Sequence, residues 1–327
     1  MLTWPHAATD WQPLLQEVEP VYIEITRQIS KYESVFIICN DSIHKKQILN
    51  LLTEQEINSD SYQLHTAPSN DSWTRDHGPI SVIVNQKPML LDFTFNGWGN
   101  KYPADKDNHI TSVLHNAGAF GKTDLKKIDF VLEGGSIESD GAGTLLTTTS
   151  CLLSKQRNPG LSMEEIDKKL SEYLGATRIF WFKHGQLLGD DTDGHIDTLI
   201  RFANQETIMY VTTDDPDNPN YESLKLMADE LHQLKQINGK SYRLIPLPSP
   251  VITNEDGQYL PASYANFLII NHAVLVPIYG IETDYRVINT FKECFDDRNI
   301  IPINCRPLIK QYGSLHCITM HLPKGVI

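Results

Sequence analysis

Five side chains in this sequence have the types and settings needed for covalent chemistry on a cation. Cys317 opens the segment HCITM directly after a polar loop, QYGSLH. The other four cysteines, at 39, 151, 294 and 305, stand among apolar neighbours or near helix ends. Cys39, at the close of SVFIIC, reads as a small core residue. His195 and Asp197 lie in GDDTDGHID, two positions apart at the expected start of a strand, where side chains i and i+2 share a face. Glu133 precedes two glycines in VLEGGSIE, and glycines allow close backbone approach. Asp76 sits in NDSWTRDHGP with Asp71, Trp73 and Arg75, immediately before the apolar run ISVIV.

Several carboxylates beside a thiol raise its pKa, which suits acyl transfer poorly. They suit a substrate that is itself a cation. A guanidinium offers five N–H donors in a planar fork that two carboxylates can grip, and its charge favours the thiolate next to its electrophilic carbon. Competing chemistries lack their residues. There is no G-x-S-x-G elbow, no G-x-G-x-x-G and no C-x-x-C pair. DDTDG fails the calcium-loop spacing because Gly189 holds the first position and no glutamate closes the loop. No His/Cys set has metal-ligand spacing. Taken singly, each residue has a plainer reading: a core thiol, a solvated acidic turn, a β-bulge at the glycines.

The elements that would position them come in a loose period. Strand pairs with short polar turns are expected from Pro79, Gly135, His195 and Tyr264, with a final strand, HCITMHL, from His316. Helical patterns fall at 12–32, 43–56, 163–174, 221–235 and 283–297, the third with a capping box of Ser162 and Glu165. Asp76, Glu133, His195, Asn266 and Cys317 each stand at the entry to a first strand, about 50–70 residues apart. That interval suggests repeated units presenting one end to a shared axis. The 327 residues carry a net charge of −13, with 40 % hydrophobic and 21 % charged residues. An acidic chain disfavours nucleic acid and anionic membranes. No apolar run reaches the length of a membrane span and the N-terminus has no signal-peptide pattern, so the cytoplasm is the expected compartment.

Seven ordered segments between residues 2 and 320 resemble the agmatine deiminase family, also labelled bacterial peptidyl-arginine deiminase-like. They are LTWPHAATDW, NDSWTRDHGP, FNGWGNKYPADKD, LEGGSIESDGAGTLLTTTSCLLSKQRNP, GDDTDGHIDTLIRF, SYANFLIINHAVLVPIYG and HCITM. The resemblance implies an α/β pentein propeller of five ββαβ blades, with residues 1–327 as one domain. It implies a cofactor-free and metal-free mechanism with Cys317 as nucleophile and His195 as acid and base. Asp76 and Asp197 would clamp the guanidinium, and Glu133 would hydrogen-bond the histidine. Trp73 would wall the slot, with Asp190, Asp191 and Asp193 as an acidic rim. Arg75 is expected to pair with neighbouring acids. Ser314 stands where the family commonly has glycine, so the backbone before Cys317 is expected to depart slightly. The implied reaction is agmatine to N-carbamoylputrescine and ammonia. Deimination of free or peptidyl arginine, amidino transfer, and non-catalytic binding of a polyamine or basic peptide are the alternatives. The expected partner is a small cationic guanidino substrate; a homodimer stays open.

Overall fold

Apolar strands alternating with helices of about twelve residues call for parallel pairing, because a parallel neighbour can be reached only through a crossover. The computed structural model, which describes residues 1–327, forms five three-stranded sheets in chain order. In the first, Leu2–Thr3, Val35–Cys39 and Tyr62–Thr66 are all parallel. The other four share one layout, an antiparallel hairpin followed by a helix and a third strand parallel to the second. The second sheet comprises Ile80–Val84, Lys87–Thr94 and Asp124–Val131, with helix Ile110–Asn116 in the crossover. The third comprises Ile137–Ser139, Thr144–Thr148 and Arg178–Phe182, crossed by Met163–Leu174. The fourth comprises Ile200–Asn204, Thr207–Thr212 and Arg243–Pro248, crossed by Tyr221–His232. The fifth comprises Leu268–Ile270, Ala273–Ile278 and Asn299–Asn304, crossed by Thr283–Cys294. No helix is long and apolar enough to cross a membrane.

The helices form where their patterns place them. Met163–Leu174 starts on the reciprocal Ser162–Glu165 capping box and ends at Gly175 with φ of 70°. It buries Ile166 and Leu170, one turn apart on a single face. Leu15–Ile29 buries Val18, Val21, Tyr22, Ile25 and Ile29 at helical spacing. The Leu15–Ile29 face closes a large core that contains Trp4, Trp11, Tyr22, Phe267 and Phe291, and the Met163–Leu174 face closes a smaller one with Phe93, Phe130 and Leu145.

The segments that lead into the sheets differ from the sequence reading. Asp76 lies in a one-turn helix, Thr74–His77, and Asp197 in a single 3-10 turn, Ile196–Thr198. His195 therefore caps a turn, and the same-face argument for a strand does not apply to it. A third short turn, Gly134–Ser136, follows Glu133. The expected strand from His316 is not formed; Thr319 makes only an isolated bridge to Leu2. Its backbone groups are used elsewhere. The His316 and Cys317 amides donate to the Asn266 side chain at 2.8 and 3.3 Å, and the Cys317 carbonyl accepts from the Arg75 amide at 3.0 Å. With those partners taken, a strand ladder has nothing to pair.

One buried ion pair ties three sheets together. Glu138 accepts from Arg201 Nε at 2.8 Å and from the Phe202 amide at 2.8 Å, and Arg201 donates onward to the carbonyls of Ala265 and Phe267. Removing one partner leaves a buried charge uncompensated. Glu138→Ala should therefore lower unfolding stability by about 3–5 kcal/mol in denaturant titration. A loss under ~1 kcal/mol would show that the pair is a solvated surface contact.

Candidate active site

The short turns ahead of the sheets meet around a buried polar cluster. Asp76 Oδ1 accepts from the Gly135 amide at 3.0 Å, and Oδ2 accepts from the Trp98 indole N–H at 3.0 Å. His195 Nδ1 lies 3.7 Å from Asp76 Oδ1. The two glycines after Glu133 permit this approach. A Cβ at Gly135 would stand 2.5 Å from His195 Nδ1, and one at Gly134 would stand 2.2 Å from the Arg75 carbonyl. His316 Nδ1–H donates to Asp197 Oδ2 at 2.7 Å, which leaves Asp197 Oδ1 buried without a partner. His195 Nε2 is buried and unpartnered as well. The Cys317 thiol donates to Asn266 Oδ1 at 3.4 Å.

Burial sets the protonation of every reactive group here. It raises the Cys317 thiol well above its usual range, and the carboxylates of Asp197 and Asp76 add to the rise. Asp76 is pushed well up by burial, then by Asp197 and Glu133. Asp197 is raised from 3.8 to about 7 by burial, against the pull of Arg201 and Arg75. His195 is driven well below its ordinary value, first by burial and then by Arg157 and Lys101. A desolvated cation placed among these groups reverses the balance for both acids and the thiol, because an opposite charge stabilises their ionised forms.

Above the cluster opens a cavity of about 430 Å³ lined by Trp73, Trp98, Tyr102, Tyr312, Gly313 and Gln311, with Asp76 and Cys317 among its walls. Asp10, Asp71, Asp191 and Thr192 complete it, so four carboxylates and no lysine or arginine face the space. Trp73 packs against Gly313, where a Cβ would come 2.0 Å from the indole. Trp98 sits in a run of left-handed residues, Gly97 to Asn100, at φ of 55°. A non-glycine residue held there costs about 1–3 kcal/mol, here spent on aiming an indole N–H at Asp76.

The structure brings Cys317, Asp76, Trp73 and Asp191 to the cavity and sets His195, Asp197 and Glu133 behind its wall. Two expected rim residues do not line it. Asp190 spends its carboxylate on its own loop, accepting from Thr192 Oγ1 and from the amides of Thr192 and Gly194. Asp193 pairs with Lys101 and Arg157. Glu133 does not hydrogen-bond His195; both its oxygens accept from Arg157 Nε, at 2.8 and 3.0 Å. Arg75 has no carboxylate partner either; its guanidinium reaches the His316 carbonyl, Met320 Sδ and His321 Nδ1. Glu133, Cys151 and His195 offer three candidate metal-ligand atoms within 4.8 Å of one another, a grouping that sequence spacing did not reveal. The Arg157 guanidinium on Glu133 opposes a cation at that point. Asp10, Trp98, Tyr102 and Gln311 stand in LTWPHAATDW, FNGWGNKYPADKD and QYGSLH, but only the fold shows that these separate loops share a cavity; the sequence marks Asn266 only by its position at a strand entry.

The family model for Porphyromonas-type peptidyl-arginine deiminase matches residues 1–323. The chain belongs to that family. Among its relatives, the Selenomonas ruminantium protein named "Putative agmatine deiminase" is 32 % identical, over 98 % of this chain and 92 % of its own. A crystal structure named "Putative Arginine Deiminase from Porphyromonas gingivalis" is 47 % identical with a TM-score of 0.94, covering 100 % of this chain and 95 % of that one. The agmatine deiminase of C. jejuni, a Cys-to-Ser form with substrate bound, is 36 % identical with a TM-score of 0.89, covering 97 % and 91 %. The fold is that of the penteins, as the family resemblance implied.

The raised pKa of Asp197 has a consequence for stability. Its folded value lies above the unfolded one, so its ionised form destabilises the native state. The penalty is absent below about pH 4, grows as pH rises toward 7, and is complete above it. Asp197→Asn should therefore be more stable than the parent at pH 8, by up to ~4 kcal/mol, with the difference vanishing near pH 4. Thermal melts across that range test this, and an Asn variant that melts lower at pH 8 would contradict it.

Proposed function

We propose that this protein is an agmatine deiminase, a hydrolase that converts agmatine to N-carbamoylputrescine and ammonia. One observation carries the reading: a cavity walled by four carboxylates, two indoles and a buried cysteine, with no cationic side chain facing it. A ligand carrying positive charge at both ends fits such a space. The relatives named as agmatine deiminases, one of them a Cys-to-Ser form with substrate bound, support the same conclusion.

In the proposed route Asp76 and Asp197 accept N–H bonds from the guanidinium, using the free Asp197 Oδ1 and the remaining lone pairs of Asp76. With the cation bound, the Cys317 proton passes to the neutral His195, and the resulting thiolate attacks the central carbon to form a tetrahedral adduct. The adduct collapses as one nitrogen takes a proton from His195, and the C–N bond breaks to release ammonia. An S-alkylthiouronium remains on the sulfur. Water then gives a proton to His195 and adds to the same carbon. The C–S bond breaks as the hydroxyl proton leaves to the solvent, which releases the ureido product, and the proton on His195 returns to the sulfur. Trp73 and Trp98 flank the path of the methylene chain. Asp10, Asp71 and Asp191 form the end that receives the ammonium. Glu133 acts on His195 through space, with Arg157 fixing its carboxylate. Residues 1–327 work as one domain, a reading supported by the Met1 amine on the Met320 carbonyl and the Arg75 amide on the Cys317 carbonyl. The protein works in the cytoplasm, and no cofactor enters the scheme.

Arginine is the second reading, favoured by the name of the 47 %-identical Porphyromonas gingivalis structure. Its α-carboxylate would enter a space whose charged side chains are all carboxylates, with no cation to meet it. kcat/KM should therefore be at least ~10³-fold higher for agmatine than for arginine, and a blocked arginine peptide should turn over more slowly still. Ammonia and ureido assays on the three substrates decide the point. Comparable rates on agmatine and either arginine form would overturn the substrate assignment, and no turnover on any of them would favour a binding module.

A further inference from the structure

We propose that a second cavity of the protein, which shares no lining residue with the active-site cavity, carries an oxyanion site, built around Arg75, for a phosphate group. This cavity is much larger, about 1730 Å³ including its open mouth, and is lined by residues from the second to fifth sheets and the C-terminal segment. Four fixed cations line it: Arg75, Arg201, Arg298 and Lys324. The acids that line it are Glu33 and Glu138. Both are engaged, Glu138 by Arg201 and the Phe202 amide and Glu33 by the Asn271 amide. A chain of net charge −13 thus presents a cavity of net positive charge.

Arg75 makes this more than a patch of surface charge. It is more than nine-tenths buried, yet no carboxylate touches its guanidinium. Its three contacts are a carbonyl at 3.4 Å, a thioether at 3.4 Å and the Nδ1 of His321 at 3.3 Å. His321 donates its other nitrogen to the Ile269 carbonyl at 2.8 Å, which leaves Nδ1 a neutral acceptor that offsets no charge. Two of the five guanidinium N–H groups remain free. A buried guanidinium whose counter-charges, Asp197, Asp76 and Glu138, act on it only without contact is costly, and a bidentate oxyanion is the ligand its fork matches. Arg298 spends one N–H on the Ile270 carbonyl and lies 3.8 Å from the exposed Asp297, so its charge is also only loosely met. Lys324 is exposed at the mouth. The site backs onto the reaction centre, since Arg75 adjoins Asp76 and His316 adjoins Cys317 in the chain.

Isothermal titration calorimetry with inorganic phosphate, at ionic strength held constant with sodium chloride, tests the site without relying on turnover. The parent should bind one phosphate per chain. Arg298→Gln/Lys324→Gln alters neither the core nor the proposed catalytic groups and should bind ~10-fold or more weakly, as expected for losing charge-assisted contacts. Arg75→Gln should abolish the heat, and circular dichroism reports whether that variant is folded. A parallel titration with glycerol phosphate separates the sources: tighter binding assigns the site to a phosphate ester, equal or weaker binding to free phosphate. The proposal is overturned if the parent shows no heat beyond the chloride control, or if the double variant binds as well as the parent.

Discussion

Two buried carboxylates with no lysine or arginine in contact govern this structure. Asp76 lines an acidic cavity and Asp197 lies behind its wall, and burial raises both toward the protonated form. Their field and the same burial hold the Cys317 thiol neutral, while burial also holds His195 neutral. Such a site is electrostatically incomplete when empty. A guanidinium completes it, since one planar cation can satisfy both carboxylates and lower the cost of a thiolate beside them. Selectivity and activation then have one cause, because the charge that the site recognises is also the charge that ionises the nucleophile.

The fold exists to hold that arrangement against its own repulsion. Asp76, Glu133, His195 and Asp197 stand on or beside short turns at the entry to a sheet and Cys317 on a turn after the last one, and the turns are bonded to one another rather than to solvent. Asn266 fixes the amides of His316 and Cys317, and the Cys317 carbonyl fixes Arg75 next to Asp76. Gly134 and Gly135 let the Glu133 turn come close enough to bond Asp76, an approach that any Cβ would block. Trp98 in its left-handed turn adds a second donor to the same carboxylate. Donors that do not cancel the charge keep the carboxylates in place while leaving them able to receive a cation.

Much of this was legible in the sequence, for physical reasons that can be named. Four strand pairs and five helical patterns, with entry residues spaced about 50–70 positions apart, carried the repeated architecture because hydrophobic periodicity is a local signal. Cys317 stood out from the other cysteines because a polar loop precedes it, and Glu133 because two glycines follow it. Failures came where tertiary partners override local pattern. HCITMHL alternates like a strand, but Asn266 and Arg75 take the backbone groups a ladder would use. Asp190 and Asp193 read as a rim, yet one caps its loop and the other meets Lys101 and Arg157. Asp10, which does line the cavity, stands in the quoted segment LTWPHAATDW but is separated from Asp71 by sixty-one positions, and nothing local shows that the two share a space.

The most direct test of the electrostatic account is the pH dependence of Cys317 alkylation in the substrate-free protein. Iodoacetamide reacts with the thiolate, and mass spectrometry assigns the modification to Cys317 rather than to Cys294. With the thiol held well above its ordinary value by burial and by Asp197 and Asp76, the rate should keep rising past pH 9. The Asp197→Asn variant, with one carboxylate charge removed, should bring the rise to lower pH. A rate that levels off below pH 8 in the parent would mean that the empty site already holds a thiolate, and would contradict the claim that the substrate's charge creates it.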